Sequence, residues 1–83
     1  MAPITSRGIL TTRIKSARDT AGYTDLELAE ESHIARSSLQ RKLAGVGKFD
    51  IEELASIAEV VDGDLTEWIA EYAAARLAEK AAS

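Results

Sequence analysis

The chain has 83 residues, no cysteine, a single proline and a formal net charge of −4. That length holds one small domain, 1–83, with a modest core, and the missing cysteine excludes disulfides and thiolate metal sites. No apolar run approaches the roughly 20 residues of a membrane span, and the N-terminus lacks the apolar stretch of a signal peptide, so a cytoplasmic protein without a membrane partner is expected.

The charge is unevenly spread. Residues 1–48 carry eight Lys/Arg against five Asp/Glu, a balance of +3, while residues 49–83 carry two against nine, a balance of −7. A basic working half and an acidic solvated half is one reading of this split; chance together with solubility is the other.

In chain order the signals are helical throughout. Alanine, leucine and glutamate dominate and β-branched alternation is absent, which points to an all-α fold. Three capping pairs mark helix starts: Thr24 with Glu27, Asp50 with Glu53, and Asp64 with Glu67. In each, the first side chain accepts from a free amide of the first turn and the glutamate reaches back to the cap's own N–H. Gly22, Gly45 and Gly63 mark the stops, as residues able to adopt the left-handed conformation that ends a helix.

These marks predict five helices. The first spans Ser6 to Ala21, with Leu10, Ile14, Ala17 and Ala21 on its inner face. The second spans Asp25 to Ser32 and the third Arg36 to about Ala44. The fourth spans Ile51 to Val61, with Ile51, Leu54, Ile57, Ala58 and Val61 inward. The fifth runs from Leu65 to about Ala81, with Leu65, Trp68, Ile69 and Tyr72 assigned to the core, as is Phe49.

The second and third helices are short and joined by about three residues, the spacing of a helix-turn-helix. In the stretch ESHIARSSLQRKLAG, residues 31–45, a turn of 100° per residue puts Leu39 and Leu43 on one face and Ser37 and Arg41 close to the opposite one. Arg36 and Gln40 flank the leucines, and Arg36 reaches past the helix end from the first turn. Ile34 plugs the turn, and Ala29 lets the two helices pack closely. The exposed side is narrow, polar and positive, as the DNA major groove requires: arginine suits the two acceptors of guanine, glutamine pairs with adenine, and serine lets the backbone approach.

The segments RIKSARDTAGYT, LELAEESHIARSSLQRKLAG and ELASIAEVV, followed by a capped helix with Trp68, resemble the phage Cro and repressor family of XRE-like helix-turn-helix proteins. The resemblance covers Arg13 to Trp68, about two-thirds of the chain. It implies a five-helix compact domain of the phage repressor type, acting as a small sequence-specific regulator of transcription, a repressor reading operator DNA in a bacterial cell. Carried over, Arg36, Ser37 and Arg41 fall on base-reading positions with Gln40 adjacent. Arg13, Thr24, Ser38, Lys42 and Lys48 fall on phosphate-contacting positions, Lys42 being as easily a bystander. The sequence departs from the pattern at three places. His33 stands at the turn position where glycine is usual, Ala35 where a capping serine or threonine is common, and Asp25 where a phosphate-binding glutamine is frequent. A carboxylate at Asp25 would repel DNA unless Arg13 or Arg18 neutralises it. Arg18 is expected to form an internal ion pair with a glutamate.

The fifth helix is longer than the core needs, and a second stripe runs along it: Ala70, Ala73, Ala74, Leu77 and Ala81. Steps of three, one, three and four hold one face. Either this stripe forms a two-fold homodimer, or the helix is exposed and merely stable, alanine being the best helix former. A second functional reading is an antitoxin-like helical adaptor whose last helix binds a partner. With one histidine, no glycine-rich phosphate loop and no metal-spaced ligands, no enzymatic activity, cofactor, metal or small-molecule ligand is expected.

Overall fold

A computed structural model describes residues 6–82, which form five α-helices: α1 (Ser6–Ala21), α2 (Asp25–Ser32), α3 (Arg36–Leu43), α4 (Ile51–Val61) and α5 (Leu65–Ala82). Their ends follow from local chemistry. Thr24 and Asp50 each complete a capping box with Glu27 and Glu53, and Asp64 Oδ1 accepts from the Glu67 N–H at 3.1 Å. The Glu27 carboxyl sits below its ordinary pKa because it accepts from the Thr24 backbone N–H.

α1 to α4 all stop in one way. A left-handed residue follows the helix, and the N–H after it returns to a carbonyl five residues back: Tyr23 to Arg18 at 3.0 Å, Ile34 to Ala29 at 3.0 Å, Val46 to Arg41 at 2.8 Å and Gly63 to Ala58 at 2.8 Å. This is the Schellman pattern, which satisfies carbonyls that the helix leaves orphaned. The left-handed residues are Gly22, His33, Gly45 and Asp62. His33, at φ 59°, therefore fills the glycine position of the turn, as histidine does more readily than most residues.

The fourth stop corrects the sequence reading, since Asp62 rather than Gly63 takes the left-handed conformation. Gly63 has another task. A Cβ there would lie 2.5 Å from Trp68 Cζ2 and 2.9 Å from Cη2, and the Trp68 ring is buried. Gly63→Ala should therefore overpack the core and lower the unfolding free energy by about 1–3 kcal/mol, read as a fall in the urea midpoint. An unchanged midpoint would show that the ring has room to move.

The core gathers one face from every helix: Ile14 from α1, Leu28 and Ala29 from α2, Leu39 and Leu43 from α3, Leu54, Ile57, Ala58 and Val61 from α4, and Trp68 from α5. Leu10, Ala17, Tyr23, Ile34, Phe49 and Leu65 pack against it, half-buried. Four expected core residues lie outside, one of them Tyr72, which is half-buried on α5 beside a surface groove. Ala21 is exposed at the last position of α1. Ile51, the first residue of α4, is 56% exposed and Ile69 is 36% exposed, because both stand at the mouth of a surface groove rather than over the centre.

The length of α5 also has a reason that its sequence pattern hides. α5 packs chiefly on α1 and runs antiparallel to it. Glu71 accepts from Arg13 at 2.8 Å, and two turns later Glu79 accepts from the Ser6 N–H at 2.6 Å and the Ser6 hydroxyl at 3.2 Å. A carboxylate at the start of α1 meets its free amides and the positive end of the helix dipole. The additional turns thus match the full length of α1. No described helix is long and apolar enough to cross a membrane.

Candidate nucleic-acid interface

α2 and α3 form a tight unit. Ala29 is buried, its carbonyl receives the Ile34 N–H across the turn, and Ile34 packs on the core. α3 is held by its two buried residues, Leu39 and Leu43. At 100° per residue, the remaining direction belongs to Gln40, Ser37 and Arg41, and all three are exposed. Arg36, in the first turn, is exposed as well. Neither Arg36 nor Arg41 has a carboxylate within ion-pair distance among the described residues. Ser37, Gln40 and Arg41 therefore share the uncovered side of α3, and Arg36 adds a second unneutralised charge at the start of the helix.

Ala35 precedes α3 with φ −58° and ψ 135° and supplies no side-chain cap. The start of this helix thus keeps amides that its own residues leave open. Ala35→Ser should raise stability by about 1 kcal/mol, measured as an upward shift of the thermal midpoint. No gain would mean that those amides are already satisfied.

The flanking positions fall into two groups. Lys48 is exposed, Thr24 is exposed at the start of α2 with its hydroxyl accepting from Glu27, and Ser38 is half-buried beside the uncovered arc. Lys42 and Arg13 are engaged within the chain. Lys42 Nζ donates to both Glu53 carboxylate oxygens at 2.6 Å, and Glu53 also accepts from the Asp50 N–H. This bracket ties α3 to the start of α4 and fixes both ends of the connecting loop. Arg13 reaches Glu71 at 2.7 Å.

The carboxylate of Asp25 is neutralised by Arg18, which bonds Asp25 and Asp19. Arg18 thus forms the expected internal pairing, with aspartates instead of a glutamate. Partial burial on its own would lower the pKa of the Arg18 guanidinium; the hydrogen bonds to Asp19 and Asp25 outweigh that and raise it. The repulsion expected at the start of α2 is thereby reduced. Of the two candidates named from the sequence, Arg18 is the one that neutralises Asp25, whereas sequence spacing could not find the Arg13–Glu71 pair, whose members are separated by 58 residues.

Comparison with known proteins decides the class. A helix-turn-helix family model matches residues 14–68, from the buried Ile14 to the buried Trp68. The chain belongs to the helix-turn-helix family. Two crystal structures of ClgR, the clp gene regulator of Corynebacterium glutamicum, share the fold. One superposes with a TM-score of 0.74 at 26% identity, over 95% of this chain and 85% of that one. The other superposes with a TM-score of 0.72 at 27% identity, over 88% of this chain and 94% of that one. No curated protein matches. As a helix-turn-helix protein with these neighbours, the chain is a DNA-binding regulator of transcription. Its second helix-turn-helix element, α3, is the one whose polar side is uncovered.

Proposed function

We propose that this regulator reads operator DNA sequence-specifically with α3 in the major groove, in the manner of a phage Cro or repressor protein. Arg36, Ser37, Gln40 and Arg41 contact base edges, while Thr24, Ser38 and Lys48 meet the phosphates. Lys42 and Arg13 join the phosphate contacts only if they leave Glu53 and Glu71. The observation that carries this reading is the uncovered arc of α3 with the unpaired Arg41, joined by the unpaired Arg36 exposed at the first turn. Phosphate neutralisation supplies affinity and the base contacts supply specificity. The acidic α4 and α5 face away from the DNA and disfavour non-specific binding.

A two-fold dimer through α5 fits this reading. Ala70, Ala73, Ala74, Leu77 and Ala81 are all exposed, Leu77 at 69%, so the stripe is unused by the fold. Two copies would present recognition helices about 34 Å apart, one DNA turn. The same exposure serves the alternative reading, an adaptor that engages another protein through α5.

Binding-site selection from random duplex DNA separates the two. An enriched motif is expected, with two half-sites about one turn apart for the dimer. A pool that stays random overturns the DNA-reading proposal in favour of the adaptor, and a strict monomer by mass in solution, on and off DNA, ends the dimer.

A further inference from the structure

A groove of about 610 Å³ opens between α1, the loop before α4, and α5. Its walls are apolar: Leu10 from α1, Phe49, Ile51 and Leu54 from the loop and α4, Ile69 and Tyr72 from α5. Leu54 is buried, while Ile51 and Ile69 are the exposed isoleucines at the mouth. The volume lies within the range of cavities that hold small molecules, which are mostly apolar with a few placed polar groups.

The charges on the rim are specific. Lys42 lines the groove but is neutralised by Glu53 at 2.6 Å. Glu79 is held by the Ser6 N–H and hydroxyl. Lys48 and Arg76 also line it, and neither has a carboxylate within ion-pair distance among the described residues. The Arg76 guanidinium lies 6.0 Å from the centre of the Tyr72 ring. With Lys42 cancelled, Lys48 and Arg76 outweigh Glu79 by one charge. The two cations come from different halves of the chain, Lys48 from the basic one and Arg76 from the acidic one.

We propose that this groove binds an apolar monoanion, a carboxylate with an aliphatic or aromatic body, whose tail packs on Leu10, Phe49, Ile51 and Ile69 and whose charge is met by Lys48 and Arg76. The sequence has no motif for such a ligand; the site exists only because three separate elements converge. An occupant that holds Lys48 withdraws a cation from the phosphate backbone, so the groove is a place where a metabolite loosens DNA binding. That consequence rests on the DNA reading above, whereas the titration below contains no DNA and fails or succeeds apart from it.

The test is an amide NMR titration of the full chain with octanoate, and with 1-octanol as the uncharged counterpart. Octanoate should give saturable shifts centred on Leu10, Phe49, Ile51, Ile69 and Tyr72, with a dissociation constant near or below about 1 mM. 1-Octanol should bind about fivefold more weakly. Lys48→Ala and Arg76→Ala, both at exposed positions, should each weaken octanoate by about the same factor and leave 1-octanol unchanged. Three results overturn the proposal: no saturable shift, equal affinity for both probes, or shifts at these residues that follow protein concentration without any probe. The last would identify the occupant as a second copy of the chain.

Discussion

Leu39→Ala should lower the unfolding free energy by about 2–5 kcal/mol, the range for a buried leucine that leaves a cavity behind. Leu39 is 0% exposed and lies in the core with Ile14, Leu28 and Ile57. A small domain has on the order of 5–10 kcal/mol in total, so the substitution removes a large share of its stability. The effect should exceed simple loss of contacts, because α3 spans only eight residues. A helix that short does not persist without tertiary packing, and Leu39 and Leu43 are what dock it. Urea unfolding followed by circular dichroism gives the magnitude. The control is Leu26→Ala, the same truncation at a position 44% exposed and outside every surface proposed above, where a change within about 0.5 kcal/mol is expected. If the two variants unfolded at the same midpoint, Leu39 would not be the anchor of α3.

Helix boundaries were legible because they are written locally. A cap and its glutamate stand three residues apart, so Thr24 with Glu27 and Asp50 with Glu53 define the starts of α2 and α4 without knowledge of the rest of the chain. Ends were nearly as legible, yet Asp62 shows the limit. Asp62 and Gly63 both tolerate a left-handed stop, and only the Trp68 ring, which needs the space at Gly63, decides between them. The uncovered side of α3 also followed from local periodicity, since two leucines four apart fix which direction is buried. Long-range pairing was not legible. Nothing in a helical pattern joins Ser6 to Glu79 or Lys42 to Glu53, because any of several acidic side chains on α4 and α5 could have been the partner. The same gap put Ile51 and Ile69 in the core: apolar periodicity says that a face is covered somewhere, but not where the covering stops. For the site, this separates the exposed Arg36 and Arg41 from Lys42, which has the same charge and is adjacent in sequence but braced against α4.

Replacing Arg36 and Arg41 together with alanine should cost about 2–6 kcal/mol of binding to the selected operator. A base-reading arginine contributes about 1–3 kcal/mol of discrimination, and contacts to different base pairs add roughly. The loss corresponds to a factor between about 30 and 10⁴ in affinity. Both side chains are exposed, so the double variant should melt with the parent, and the loss then belongs to recognition rather than folding. Equilibrium binding at one fixed salt concentration, on the operator and on a scrambled duplex, separates specificity from charge. The operator should lose much more than the scrambled sequence, and the motif selected by each single variant should relax at one position. Lys48→Ala provides the contrast, because a loop cation that meets phosphate weakens every sequence alike and flattens the dependence of log K on log salt by about 0.9. If the double variant lost equally on both duplexes, Arg36 and Arg41 would be acting as Lys48 does, and base reading would have to rest on Ser37 and Gln40, which carry no charge and do not weaken with salt in the same way.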